Sequence, residues 1–287
     1  MKLQLKAPAK INLGLSILGK LVNNYHEVRI VYTQISLFDL IEIEEIRGGK
    51  IEIKCDKEEI SSDENNLVWQ AVELIKQQSG IKKGVKIKLK KQIPVGSGLG
   101  GGSADAAVIL KGLNKLWKLN LSLEKLIELG KKIGADVAYQ LIGGVKLEVQ
   151  GGDKAGEFED LGKLPESYFV VVVPKKKRSS QQAYQEVDYG LAGKNSLDGL
   201  VEAIKKKDLD LIGGSLHNDF ELWSLEKFPE VREIEKVMKA GGAVGSLMSG
   251  KGLAVFGLFK DKKMAKEMYN SLKQKEERVY LVRPFYD

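Results

Sequence analysis

The sequence is poor in the residues that build covalent or metal-held frameworks. Its 287 residues include one cysteine, Cys55, and two histidines, His26 and His217. A single thiol excludes an intrachain disulfide. No Cys or His pair has the close spacing of a zinc site. Long apolar runs are missing as well. The longest, from Tyr168 through Val173, is of strand length, against the roughly 20 residues a membrane-spanning helix needs. The start, Met1-Lys-Leu-Gln-Leu-Lys6, lacks the apolar stretch of a secretory signal. The expected location is therefore the cytoplasm, with no membrane partner.

What is present suits a folded globular chain. Hydrophobic residues make up 43% and charged residues 30%. The length is comfortable for two lobes or two domains. The formal net charge of +7 comes mainly from lysine, in runs such as Lys82-Lys83, Lys90-Lys91, Lys175-Lys-Lys-Arg178 and Lys205-Lys-Lys207. A solvated lysine/glutamate surface accounts for most of these runs. A nucleic-acid partner would call for aromatics interleaved with the basic residues, and these runs carry none. No nucleic acid is expected; small anionic ligands are favoured.

The hydrophobic pattern predicts a strand over 3–19, two strands within 28–46, and a third from Lys50 after the turn at Gly48-Gly49. A helix is expected over 66–78, with Leu67, Ala71, Leu74 and Ile75 on one face. Val85-Lys-Ile-Lys-Leu-Lys-Lys91 alternates as a strand. A helix from Ser103 to about Lys118 follows the glycine-rich segment. Ser122 is placed to cap another helix that stops at Gly130 or Gly134, and a short helix starts near Asp136. From Tyr168 onward the pattern changes to a strand, helices near 179–187, 196–206, 208–223 and 229–241, strands near 245–249 and 253–259, a helix over 260–274 and a strand over 278–284. That mixture reads as a separate α+β unit. Gly162 and Pro165 interrupt the pattern, so the expected domains are 1–163 and 164–287.

The segment Pro94-Val-Gly96-Ser97-Gly98-Leu99-Gly100-Gly101-Gly102-Ser103 carries the chemistry. Glycines allow positive φ and strip away side chains, so backbone N–H groups can touch a ligand. A helix start adds unpaired N–H groups and partial positive charge, which favours a phosphate. Ser103 suits an N-cap, a phosphate oxygen or a metal ion. Two other glycine patterns fail on context. Gly96-Ser-Gly98-Leu-Gly-Gly101 fits a dinucleotide fingerprint only by glycine abundance, and no strand with a terminal acid follows at the required distance. Gly245-Ser-Leu-Met-Ser-Gly250-Lys251 starts like a P-loop, but Gly252 stands where Ser or Thr should hold the metal.

Pro94 through Ala107 resembles the phosphate-binding motif of the galactokinase–homoserine kinase–mevalonate kinase–phosphomevalonate kinase (GHMP) superfamily. Pro8-Ala-Lys10-Ile-Asn12-Leu-Gly-Leu resembles its first motif, and Gly134-Ala-Asp136-Val the segment of its catalytic aspartate. Asn23-Asn-Tyr25-His26-Glu27 and Asn218-Asp-Phe-Glu221 are similar to one branch, the 4-diphosphocytidyl-2-C-methyl-D-erythritol kinases of non-mevalonate isoprenoid synthesis. The resemblance spans residues 8 to about 259 in order. It implies an N-terminal domain like ribosomal protein S5 domain 2, a ferredoxin-like C-terminal domain, and an active site in the cleft between them. It also implies ATP with Mg²⁺, and a cytidine-diphosphate-linked polyol phosphorylated on its 2-hydroxyl. A mevalonate-, homoserine- or sugar-type acceptor is the alternative within the superfamily; a silent nucleotide- or RNA-binding member is the alternative outside it. Monomer and homodimer both remain open.

Residue by residue, the resemblance gives Asp136 the proton of the substrate hydroxyl, where an ordinary helix cap is the plainer reading. Lys10 is expected beside that aspartate, keeping it ionised and offsetting charge on the γ-phosphate. Asn12 would hold the substrate. Tyr25, His26, Ser180 and Tyr184 would line the cytidine pocket, and Asn66 would lie near the adenine or simply cap a helix. Lys90 and Lys91 face either phosphate or solvent. One departure stands out. The third motif usually reads Met-Ser-Gly-Ser-Gly, whereas here it is Met248-Ser-Gly-Lys251-Gly252, with a lysine that either binds a phosphate as a point charge or obstructs the loop.

Overall fold

The computed structural model describes residues 2–20, 26–150, 156–176, 180–185 and 196–286, without the side chains of 20, 26, 149, 150, 180 and 181. The chain divides into two compact units built from interleaved segments. Unit one holds Met1–Ala9, Leu37–Val95 and Gly100–Gly143; unit two holds Lys10–Ser36, Gly96–Leu99 and Gly144–Asp287. Two long strands, β1 (Lys2–Lys20) and β2 (His26–Ile46), contribute to both.

In unit one the end of β2 pairs antiparallel with β4 (Gly84–Lys90), and β4 pairs parallel with β3 (Ile51–Cys55). Val85, Ile87 and Leu89 of β4 point inward while Lys88 and Lys90 point out, the period-2 pattern of a sheet with one wet face. Four helices complete the unit: α1 (Leu67–Ser79), α2 (Gly101–Leu116), α3 (Leu123–Ile133) and α4 (Ala135–Ile142). Val72, Ile75, Leu110 and Leu113 share one core with Ile43 and Ile87. At Gly112 any Cβ would meet Leu5 at 2.6 Å and Ile43 at 2.9 Å, so only glycine lets α2 pack this close. Residues 28–46 form one unbroken strand, where two were expected. Asp39 reads as a strand break because a carboxylate is rare in an apolar run. It is instead fully buried and fully engaged, as described below.

In unit two the end of β1 pairs parallel with β8 (His217–Asn218), and the start of β2 pairs antiparallel with β5 (Lys146–Gln150), which carries β6 (Glu157–Asp160). A second, wholly antiparallel sheet joins β7 (Tyr168–Val172), β9 (Gly245–Met248), β10 (Val255–Phe259) and β11 (Val279–Val282) in the order β11-β7-β10-β9. The chain runs from β7 to β9 through α5 (Ser180–Gln185), α6 (Asp198–Lys206), α7 (Leu209–Gly214), α8 (Glu221–Lys227) and α9 (Pro229–Ala240). It then makes a hairpin to β10 and crosses to β11 through α10 (Lys262–Lys273). Strand order 4-1-3-2 with helical crossovers is the ferredoxin-like arrangement. The fold class is α+β, as expected. One expected helix, 208–223, is broken: the chain leaves α7 at Gly214 and forms β8 before α8. Asn218 and Asp219 cause this, because both are buried side chains whose hydrogen bonds reach outside a helix. Among the described residues no helix is long and apolar enough to cross a membrane.

Candidate active site

The glycine loop adopts the backbone its composition implies. Gly96, Gly98 and Gly100 have φ of 70°, 87° and 70°, a left-handed region costly for residues with a side chain. Helix α2 begins at Gly101, two residues before the expected start. Gly100 is its N-cap and supplies no side-chain bond, so Ser103 lies in the first turn and is not the cap. The first intrahelical bond runs from Ala104 N–H to Gly100 O at 2.9 Å, leaving the N–H groups of 101–103 outside the helix ladder. Of the remaining loop residues, Pro94 is half-buried, Gly96 and Gly102 are exposed, and Ser97 and Leu99 are buried. The Ser97 hydroxyl accepts from Leu99 N–H at 3.3 Å.

Within unit two the middle of this loop is held by backbone alone. Lys10 N–H donates to Leu99 O at 2.9 Å, and Ala254 N–H donates to Ser97 O at 3.2 Å. A Cβ on Gly98 would lie 2.6 Å from Ser249 O. The third-motif loop, 249–252, thus lies directly on Gly96–Leu99. Lys10 and Asn12 stand beside it. Both are buried, and Lys10 Nζ donates to Asn12 Oδ1 at 2.5 Å while lying 5.6 Å from the centre of the Tyr32 ring. Asn12 N–H donates to Ser249 Oγ at 3.2 Å. The Asn218-Asp-Phe-Glu221 motif proves to be the bracket of this loop. Asn218 Nδ2 donates to both Met248 O and Gly250 O at 2.8 Å, and Glu221 Oε1 accepts from Met248 N–H at 2.6 Å. Asp219 accepts from Ile17 N–H at 2.7 Å and from the His217 ring at 2.6 Å, tying β8 to β1. Burial, with hydrogen bonding to Glu235, raises the Glu221 carboxyl well above the usual range, so it shares a proton with its neighbour.

Within unit one a buried ionic cluster grips both ends of the glycine loop. Lys91, neither solvated nor free for phosphate, sends its ammonium to Asp39 and, at 2.5 Å, to Asp105 in the first turns of α2. Asp39 Oδ1 accepts from Gln92 N–H at 2.6 Å and Ile93 N–H at 2.9 Å, and Asp56 accepts from Lys91 N–H at 2.9 Å. Burial pulls the ammonium down, but the two carboxylates outweigh it and hold Lys91 above its ordinary value. Burial also pushes the Asp105 carboxyl up to about 8, against the pull of Lys91. Sequence reasoning missed this cluster. The signals were an aspartate inside an apolar strand and another inside an alanine-rich first turn.

The other expected residues fall as follows. Asp136 is the second residue of α4, half-buried; the cap is Gly134, so Asp136 is not the ordinary N-cap its sequence context suggests. Its negative charge lies in the first turn, where the helix field favours it. Asn66 does cap α1, accepting from Val68 N–H at 2.9 Å. Tyr184 packs edge-on against buried Phe220, ring centres 5.2 Å apart, and Lys251 lies over its ring at 4.9 Å. Tyr25 lies outside the described residues. His26 and Ser180 are described by backbone alone, as the first residues of β2 and α5. Lys10, Asn12, Ser97–Leu99, Tyr184 and Lys251 belong to unit two; Asn66, Gly100–Ser103 and Asp136 belong to unit one.

A ferredoxin-like sheet and a left-handed glycine loop opening a helix define a class of phosphate-binding small-molecule kinases. The family model described as GHMP kinases N terminal domain matches residues 66–144, and that described as GHMP kinases C terminal matches 200–278. A 4-diphosphocytidyl-2-C-methyl-D-erythritol kinase of Bacillus pumilus is 40% identical over 99% of this chain and 97% of its own length. One of Listeria innocua is 41% identical over the same shares of both chains. The crystal structure of a 4-(cytidine 5'-diphospho)-2C-methyl-D-erythritol kinase superposes with a TM-score of 0.83 at 29% identity, covering 99% of this chain and all of the other. The chain belongs to the 4-diphosphocytidyl-2-C-methyl-D-erythritol kinase family within the GHMP kinases. It has the two-domain fold of that superfamily and is an ATP-dependent small-molecule kinase.

Proposed function

We propose that this kinase transfers the γ-phosphoryl group of ATP to the 2-hydroxyl of 4-diphosphocytidyl-2-C-methyl-D-erythritol. The observation that carries the reading is the joint described in unit two. A backbone-lined phosphate loop, Gly96–Leu99, lies against a buried Lys10–Asn12 pair on one side and the 249–252 loop on the other. The acceptor is supported by the near full-length likeness to kinases that carry its name.

In this reading Pro94, Gly96, Ser97, Gly98, Leu99, Gly100, Gly101, Gly102 and Ser103 surround the ATP phosphates, and Asn66 lies at the adenine. Asn12 holds the acceptor, and Tyr25, His26, Ser180 and Tyr184 form the cytidine pocket. Asp136 takes the hydroxyl proton as the acceptor oxygen bonds to the γ-phosphorus and the bond to the β-phosphate oxygen breaks, releasing ADP. Lys10 offsets the charge on the transferred group. Mg²⁺ accompanies ATP and neutralises phosphate charge. Among the described residues no cluster of three or more His, Cys, Asp or Glu could cage a metal ion, which suits an ion held mainly by phosphates with the Ser103 hydroxyl as protein ligand. We place the ATP-binding domain at 1–163 and the ferredoxin-like domain at 164–287; the two matched segments fall one in each. The protein is proposed to act in the cytoplasm as a monomer or homodimer, without nucleic acid.

The test is Asp136→Asn in an ADP-release assay with the diphosphocytidyl acceptor. Turnover should fall by roughly 10²–10⁴-fold while ATP affinity stays near that of the wild type. Near-normal turnover would remove Asp136 from the role of base.

A further inference from the structure

We propose that Lys251 is a specificity-determining residue: seated on the Tyr184 ring, its ammonium meets the diphosphate of the acceptor and selects a nucleoside-diphosphate-linked alcohol over an uncharged one. The inference deepens the acceptor reading above and rests on it.

The case starts from the loop. Lys251 sits between Gly250 and Gly252, and both glycines are committed to close contacts. Gly250 has φ of 62°, and a Cβ there would come 3.5 Å from Lys10 Nζ and 3.6 Å from Asn12 Oδ1. Gly252 lies against the backbone of Ser97 and Gly98. Between them Lys251 carries the side chain of the turn. The turn itself is fixed by Asn218, which takes up Met248 O and Gly250 O, and by the Ser249 hydroxyl on Asn12 N–H. A lysine stem on so firmly held a backbone starts from a defined point.

The seat defines where the stem ends. Lys251 Nζ lies 4.9 Å from the centre of the Tyr184 ring, and Phe220, fully buried, braces that ring from its edge. A ring face attracts an ammonium through its quadrupole and leaves the N–H donors available for an anion. The same short loop brings Lys10 to its other side, so two ammonium groups flank one turn. Such an arrangement draws a substrate with several negative charges. The ATP phosphates have their own cradle in the glycine loop. The acceptor reading assigns Tyr184 to the cytidine end of the acceptor, and base and diphosphate are joined through a single ribose. A cation resting on that ring therefore reaches the acceptor's diphosphate. Lysine at a position where small residues are usual is thus an added contact and no obstruction.

The experiment compares the wild type, Lys251→Ser and Lys251→Arg. Binding of cytidine and of CDP is measured by calorimetry, and KM by ADP release for the diphosphocytidyl acceptor and for ATP, with thermal unfolding to show that each variant is folded. The wild type should prefer CDP to cytidine. Lys251→Ser should lose about tenfold of that preference and raise the acceptor KM by a similar factor, as expected for one charge-assisted hydrogen bond. KM for ATP should hold within about twofold, and added salt should weaken wild-type CDP binding more than that of the variant. Lys251→Arg, which keeps the charge and the ring contact, should retain most of the preference. An unchanged CDP preference in Lys251→Ser overturns the inference, and so does an ATP KM that moves as far as the acceptor KM. If the wild type neither binds CDP nor turns over the acceptor, the acceptor reading itself falls; if it does both and the variant matches it, the inference about Lys251 falls alone.

Discussion

Gly98 shows how much of this kinase depends on single residues. Its φ of 87° is costly for any side chain, and its Cα faces Ser249 O so closely that a methyl group would overlap it. Gly98→Ala therefore carries both a left-handed backbone penalty, about 1–2 kcal/mol, and a clash with backbone that cannot swing away. We expect the variant to melt lower and to show a raised KM for ATP, with the nearby Gly102→Ala, exposed and with only Leu67 at 3.6 Å from its Cβ, as the mild control. Equal behaviour of the two alanine variants would show that close packing at Gly98 is unimportant. Asp136 and Lys251 are the other residue-scale tests. The first probes chemistry and the second probes acceptor choice, so their effects should separate into turnover and KM.

At the scale of elements, the buried Lys91–Asp39–Asp105 cluster welds the end of β4, the middle of β2 and the start of α2. The glycine loop leaves one of these elements and enters another, so the cluster sets both of its ends. Lys91→Met would strand two buried carboxylates, at a cost of about 3–5 kcal/mol. Asp105→Asn is the gentler and more informative change. A carboxyl whose folded value is pushed up to about 8, from 3.8, binds its proton more tightly in the folded protein. The stability it confers is full below its unfolded value and is lost as pH rises toward its folded one. Lys91 and Asp39 are the charged side chains that face it. Relative to the wild type, Asp105→Asn should thus gain Tm, by a few degrees, between about pH 5 and about pH 9. A Tm difference that stays flat over that range would mean that Asp105 is ionised throughout.

At the scale of the whole molecule, fold and acceptor are separate matters. A homoserine kinase from Cytophaga hutchinsonii shares this fold at a TM-score of 0.79 with 21% identity, which speaks for architecture alone. The acceptor must come from side chains mounted on the common frame. We expect ADP release with the diphosphocytidyl acceptor to exceed that with mevalonate or homoserine by at least about 10²-fold in kcat/KM, the scale that one or two charge-assisted contacts supply. Comparable rates with an acceptor lacking cytidine would return the chain to the broader family.

By itself the sequence determined the elements whose reasons are local. The alternation of β4, the amphipathic helices, the glycines at 96, 98 and 100 and the Ser122 and Asn66 caps all depend on neighbours within a few residues, so their pattern survives in the linear text. The motif order also sufficed to recognise the superfamily and its branch. What only the tertiary structure decided are the features built from distant partners. Asp39 looked like a break in β2 because its three partners lie more than fifty residues away, save for the local strand itself. Asn218 looked like a family signature and a stretch of helix, and became the bracket of the 249–252 loop, thirty residues on. Lys91 and Lys251 were both lysines of uncertain use in the text. Burial between two carboxylates made the first structural, and a tyrosine ring at 4.9 Å gave the second a direction. A charge has no role until its surroundings set the dielectric and the partner, and those surroundings are assembled only when the chain folds.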